Sequence, residues 1–365
     1  MSDYRQISDR QWFYWLALSS ICLTPFGLPT VLYGVLDHSA WVPVFAAFGF
    51  TVWNCYLAIA IGRSCSGQSL PQWSAQLMGR WVGALYSIAA IIVMYMWGLL
   101  MLYEFMALLV YTQLPHSVRF FPLSFLIVAC FYLLSRGLEG WIRWGELWAI
   151  PAIIGLIFIN APQFANASFA HLLPLGDLSR RLSRYGNPNV IASLFIFRGV
   201  FVLYFIFPYL NNKNKLMRWS VFGIAIAAVE ILLSIVLPLA IFGGAFAGKL
   251  SFPYQESLST VSLTFLPIER ITLLTPIVWQ VIIVYVLIFS TFCTVEGVRT
   301  LIKSKKDKPI LYTVGILTFS LGLYHPREQL VMDAILYWSL AGLIVFSVIP
   351  TLIWIILMIR RRIAA

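Results

Sequence analysis

At 365 residues, 61% of them hydrophobic and 11% charged, with a mean hydropathy of +0.86, the chain holds more apolar side chain than a water-soluble domain can hide. Its net charge of +11 does not mark a nucleic-acid binder, because the basic residues lie in short connections and at the ends, with no basic patch interleaved with aromatics. Five cysteines without a C-x-x-C pair point to neither a disulfide framework nor a zinc site.

Hydropathy predicts an all-α polytopic membrane protein with ten transmembrane helices, at about 11–35, 39–62, 82–112, 118–135, 138–160, 188–210, 218–246, 271–298, 309–325 and 333–359. With no long linker, residues 1–365 read as one membrane domain. The first helix carries Thr24-Pro25-Phe26-Gly27-Leu28-Pro29 at its middle. Two prolines and a glycine so close together interrupt the backbone ladder. At membrane depth such a break survives only inside protein or beside a polar cavity.

Lys and Arg concentrate on one side of the predicted spans. Arg63 and Arg80, Lys213 to Arg218, the run from Arg299 to Lys308, and Arg360 to Arg362 all fall there. This bias places the N and C termini in the cytoplasm. Ten helices divide into five and five, at about 11–160 and 188–359, and an odd number per half makes the second run inverted relative to the first. The plan expects a matching interruption in helix six. That helix has Phe197-Arg198-Gly199-Val200 near its midpoint, in the place that corresponds to the Pro25–Gly27 break.

Ionisable side chains within spans are costly and mark functional candidates. Arg198 is one, and its candidate charge partners are Glu104 in helix three and Glu230 in helix seven. Glu104 precedes Thr112 by eight residues, about 12 Å along a helix. A buried ion pair and a direct ligand contact both fit Arg198, whose planar fork grips a carboxylate bidentately. Glu139, Arg143 and Glu146 share one face of helix five and read as a local ion-pair ladder. Glu296 is expected to snorkel at the end of helix eight. Trp12, Trp41, Trp81, Trp141 and Trp338 near helix ends read as interface anchors. No H-E-x-x-H, nucleophile elbow or phosphate loop is present, so neither an enzyme nor a cofactor or metal site is expected.

The ordered details resemble the B subunit of spore germinant receptors, the endospore germination permeases of the amino acid–polyamine–organocation superfamily. The resemblance rests on Ile7-Ser8-Asp9-Arg10-Gln11, Gly27-Leu28-Pro29 and Ala40-Trp41 at the start, and on Tyr103-Glu104-Phe105 with Leu114-Pro115. It continues through Gly137, Glu139, Arg143, Glu146 and Pro151, then Phe252-Pro253, Ile268-Glu269-Arg270-Ile271 and Trp279. The chain departs from the family pattern at Tyr103, where an Arg is expected, and at Phe201, where Gly-x-Glu is expected after Gly199.

The resemblance implies five-plus-five inverted repeats with helices 1 and 6 unwound. It also implies that the protein binds a small germinant, usually an amino acid, in the spore inner membrane beside germinant receptor A and C subunits. Thr24, Pro25, Phe26, Gly27, Phe197, Arg198, Gly199 and Val200 would then form the ligand site. An amino-acid or polyamine secondary transporter and a structural membrane subunit remain open on the same sequence.

Overall fold

The computed structural model describes residues 6–21, 27–112, 119–173, 182–211, 213–261 and 271–364. The first predicted helix is two helices. Helix α1 (Asp9–Ser20) opens on a reciprocal cap, in which the Ser8 hydroxyl accepts from the Gln11 N–H and the Gln11 side chain accepts from the Ser8 N–H. Helix α2 (Leu28–Leu36) resumes after Gly27 with Pro29 in its first turn, where a missing N–H costs nothing. Of the segment between them, Thr24, Pro25 and Phe26 lie outside the described residues.

Helix α3 (Val42–Ser64) leads to the short α4 (Leu70–Met78), capped by the Ser69–Gln72 pair, and to the 33-residue α5 (Arg80–Thr112). Helices α6 (Phe120–Ser135) and α7 (Leu138–Asn160) are separated by two residues, and the turn is possible because Gly137 takes φ +79°. After α8 (Leu182–Tyr185) the sixth predicted helix is broken as expected. Helix α9 (Pro188–Ser193) stops, residues 194–197 are irregular, and the chain continues as a 3₁₀ turn (Arg198–Val202), α10 (Leu203–Ile206) and a second 3₁₀ turn (Phe207–Tyr209). Helix α11 (Leu216–Phe242) is followed by two short helices, α12 (Gly244–Ala247) and α13 (Pro253–Ser259). Then come α14 (Thr275–Leu301), α15 (Lys308–Leu323) and α16 (Glu328–Leu343), which passes through a π-helical turn (Ile344–Val348) into α17 (Ile349–Ala364).

Six of these helical runs are long and apolar enough to cross a membrane, and α6, the 198–209 run and α15 are shorter apolar helices. Large apolar side chains face outward along them, with Phe125, Leu147 and Ile316 about 70% exposed, as a lipid-facing surface requires. The protein is a multi-pass integral membrane protein with interrupted first and sixth spans.

Helix α1 is wedged among α7, α11 and α14. Trp15 is fully buried, with ring centroids 4.5 Å from Tyr285, 4.7 Å from Trp141 and 4.8 Å from Phe289. Trp12 donates its indole N–H to the Ser220 hydroxyl at 2.8 Å. Trp12 and Trp141 are therefore core residues rather than the expected interface anchors, and so is Trp338, which donates to the Val93 carbonyl at 2.8 Å. Trp81, 83% exposed, keeps the anchor position. Two further expectations change. Glu296 is buried in an ion pair with Arg299 at 2.6 Å instead of snorkelling, and Glu146 leaves the helix-five ladder to accept from the Gln11 side chain at 3.1 Å. Arg143 and Glu139 do pair, at 2.5 Å.

One β-bridge joins the chain start to the end of the sixth span. The Ile7 N–H donates to the Tyr209 carbonyl at 2.8 Å and the Asn211 N–H to the Ile7 carbonyl at 3.1 Å.

Candidate ligand-binding site

The two interruptions meet. A β-carbon at Gly199 would lie 2.4 Å from the Ser19 hydroxyl oxygen and 2.7 Å from that of Ser20, so the break in the sixth span is seated on the last turn of α1. Gly199 is a contact glycine here, which lets the two backbones approach closely.

Beside this contact lies a cavity of about 40 Å³ walled by α2, α5, α9, the residues after α9, and α16. Glu104 and Arg198 both line it, together with Ser193, Met332 and Ser339. Both charged side chains are buried, at 4% exposure each. The backbone N–H of Gly27, just ahead of α2, and the Arg198 charge both act on the Glu104 carboxylate. The Arg198 guanidinium donates from Nε to the Phe195 carbonyl at 3.0 Å and from one terminal nitrogen to the Ser339 hydroxyl at 3.2 Å. Its plane sits 4.2 Å from the Trp338 ring centroid, a cation–π contact that holds the fork in place.

Of the residues expected at this site, Arg198 and Glu104 line the cavity. Gly27 supplies its N–H to Glu104, and the Met332 methyl would meet a β-carbon at Gly27 at 2.0 Å. Phe197, Gly199 and Val200 are buried but are not among the lining residues. Thr24, Pro25 and Phe26 lie outside the described residues. Glu230 is a correction. Its carboxylate accepts from the Asn160 side-chain amide at 2.8 and 3.0 Å, so it is held by α7 and belongs to a separate network.

Ser339 and Met332 carry no signal in the sequence, and Trp338 reads there only as an interface anchor. Helix α16 reaches the cavity only through tertiary packing against α5 and α9.

A buried arginine and a buried carboxylate beside one small cavity can hold the two ends of a zwitterion, the fork for a carboxylate and the carboxylate for an ammonium. The room present is little more than one water's share of liquid volume, about 30 Å³. A larger ligand is admitted only when the wall opens, and Met332, flexible and unbranched, is its most yielding part.

Comparison with known proteins identifies the family and the fold. A family model described as "Spore germination protein" matches residues 6–329. Among solved structures, MhsT in complex with L-phenylalanine superposes with a TM-score of 0.68 at 15% identity, covering 96% of this chain and 89% of that one. Two point mutants of the Eremococcus coleocola manganese transporter each give a TM-score of 0.56 at 13% identity, covering 94% of this chain and 75% of theirs. No curated protein matches the sequence. At these identities the likeness is one of fold, the five-plus-five inverted repeat of secondary transporters.

Proposed function

The chain belongs to the spore germination protein family, and from that premise we propose that it is the transporter-like membrane subunit of a spore germinant receptor, binding an amino-acid germinant between its interrupted helices. The observation that carries this reading is the convergence of Glu104 and Arg198 on one cavity beside the contact between the two interrupted spans. Arg198 takes the ligand carboxylate and Glu104 its ammonium. Glu104 thereby supplies, from the third span, the negative charge that the sixth span lacks at Phe201. The likeness in fold to a transporter crystallised with L-phenylalanine supports a ligand of amino-acid size.

In this reading the protein is one membrane domain in the spore inner membrane. The end with α4 and the 299–308 connection faces the cytoplasm, together with both termini, and the end with α13 faces outward. The closed cavity and an opened form are in equilibrium. The ligand shifts the balance by binding the opened form better, and the A and C subunits respond to that shift.

The test is isothermal titration of the purified protein in nanodiscs with each common amino acid, beside spores carrying Glu104→Gln or Arg198→Lys. One amino acid should bind, and each variant should raise the concentration needed for germination at least tenfold. Unaltered germination in both variants overturns this site. Saturable uptake of that amino acid into liposomes under a proton or sodium gradient overturns pure sensing in favour of an amino-acid or polyamine transporter.

A further inference from the structure

A second buried carboxylate lies outside the central site. Glu230 is the fifteenth of the 27 residues of α11, about 21 Å from the start of that helix at 1.5 Å per residue. It is 6% exposed. Both of its oxygens face the Asn160 side-chain nitrogen, at 3.0 and 2.8 Å, and that nitrogen also donates to the Leu156 carbonyl at 3.0 Å. An amide nitrogen has two hydrogens. With one directed at Leu156, a single hydrogen is left for a carboxylate that as an ion offers about four lone-pair sites.

The Asn160 carbonyl oxygen accepts from the Tyr254 hydroxyl at 3.0 Å and from the Gln163 side chain at 3.4 Å, and the Ser257 hydroxyl donates to Gln163 at 2.7 Å. Tyr254 and Ser257 belong to α13, so an unbroken chain of hydrogen bonds links the carboxyl of α11 to that short helix. Glu230 and Asn160 also line a groove of about 610 Å³ between α1, α7 and α11.

We propose that Glu230 is a proton-binding site whose occupancy sets the seating of α13 through Asn160 and Tyr254. The geometry supplies a reason for two states. A carboxylate accepts at both oxygens, as both face Asn160 here. Adding a proton from water to one oxygen makes it a donor, which can no longer face the amide hydrogen. The single amide hydrogen is then left to the other oxygen, and Asn160 turns toward it, its carbonyl carrying the Tyr254 hydroxyl with it. Burial among apolar side chains favours the neutral acid, while the amide hydrogen shared between the two oxygens favours the ion. This inference stands whether or not the central cavity binds an amino acid.

The titratable groups on the elements packed against α11 leave Tyr254 as the one within this network. Tyr33 of α2 donates to the Ile235 carbonyl, His171 bonds the Ala240 carbonyl, and Cys55 of α3 faces Ser220. Glu256 of α13 takes the Tyr111 hydroxyl. On α1, Asp9 and Arg10 stand at its first turn, and Arg63 ends α3 with its side chain on the Lys213 carbonyl.

The test uses the full chain in nanodiscs, with the proton as probe. Infrared spectra at about pH 6, where solvated carboxylates are ionised, should contain a carboxylic acid C=O band that Glu230→Gln removes. A spin label on Ser259→Cys, at the exposed end of α13, should change mobility at least twofold between about pH 5 and pH 8. Glu230→Gln should hold the label in its low-pH state throughout. Tyr254→Phe should keep the band and lose the mobility change. The proposal is overturned by a band that survives Glu230→Gln, by a label that ignores pH in the wild type or still responds to it in Glu230→Gln, or by a response to sodium at fixed pH in place of the response to protons.

Discussion

At the scale of single residues, Gly27 and Arg198 do different work at the same cavity. Any side chain at Gly27 meets the Met332 methyl. Gly27→Leu is therefore expected to abolish ligand binding while the protein remains at normal abundance in the membrane. Adding Met332→Ala should restore at least a tenth of the wild-type affinity, because it removes the group that the leucine displaces. Binding by the double variant no better than by Gly27→Leu alone sinks this account of the break. Arg198→Ala removes the charge that acts on Glu104 along with the bonds to Phe195 and Ser339. It should lower stability by about 1–3 kcal/mol, the usual cost of leaving buried hydrogen-bonding groups unsatisfied. Arg198→Lys keeps the charge without the fork, so it should retain the fold and lose affinity. Thermal melts in detergent separate the two outcomes, the alanine variant melting well below the lysine one.

At the scale of elements, the decisive contact is between the last turn of α1 and the start of the 3₁₀ turn at Arg198. Gly199→Ala drives a methyl group against Ser19 and Ser20. Overpacking of this kind costs about 1–3 kcal/mol. Part of that loss should return in Gly199→Ala with Ser19→Gly and Ser20→Gly, and equal melting temperatures for the single and triple variants would show that the two breaks are not packed as described. The breaks themselves were legible in the sequence, because proline and glycine state their backbone consequences locally. Their mutual contact was not. It depends on Gly199 reaching α1 across some 180 intervening residues, and periodicity carries no information at that range.

At the scale of the whole molecule, the distribution of Lys and Arg predicts which end of the bundle faces the cytoplasm. Cysteines placed at Lys306 and at Ser259 stand on exposed positions, and the described native cysteines are buried. An impermeant maleimide added to intact cells expressing the protein should label Ser259→Cys at once and Lys306→Cys only after permeabilisation. The reverse order overturns the assigned orientation.

The sequence by itself determined the membrane class, the interrupted first and sixth spans, and the residues in the membrane that had to be explained. Each of these follows from composition or from local backbone chemistry, which the linear order preserves. Only the tertiary structure decided which carboxylate shares a cavity with Arg198. Glu104 and Glu230 were equal candidates for Arg198, since both are carboxylates buried within long apolar spans. Packing set Glu104 beside the break in the first span and put Asn160 against Glu230. The Gly27 N–H at the start of α2 acts on Glu104, so an interruption written in the sequence becomes a polar site only where a distant helix brings it a carboxylate.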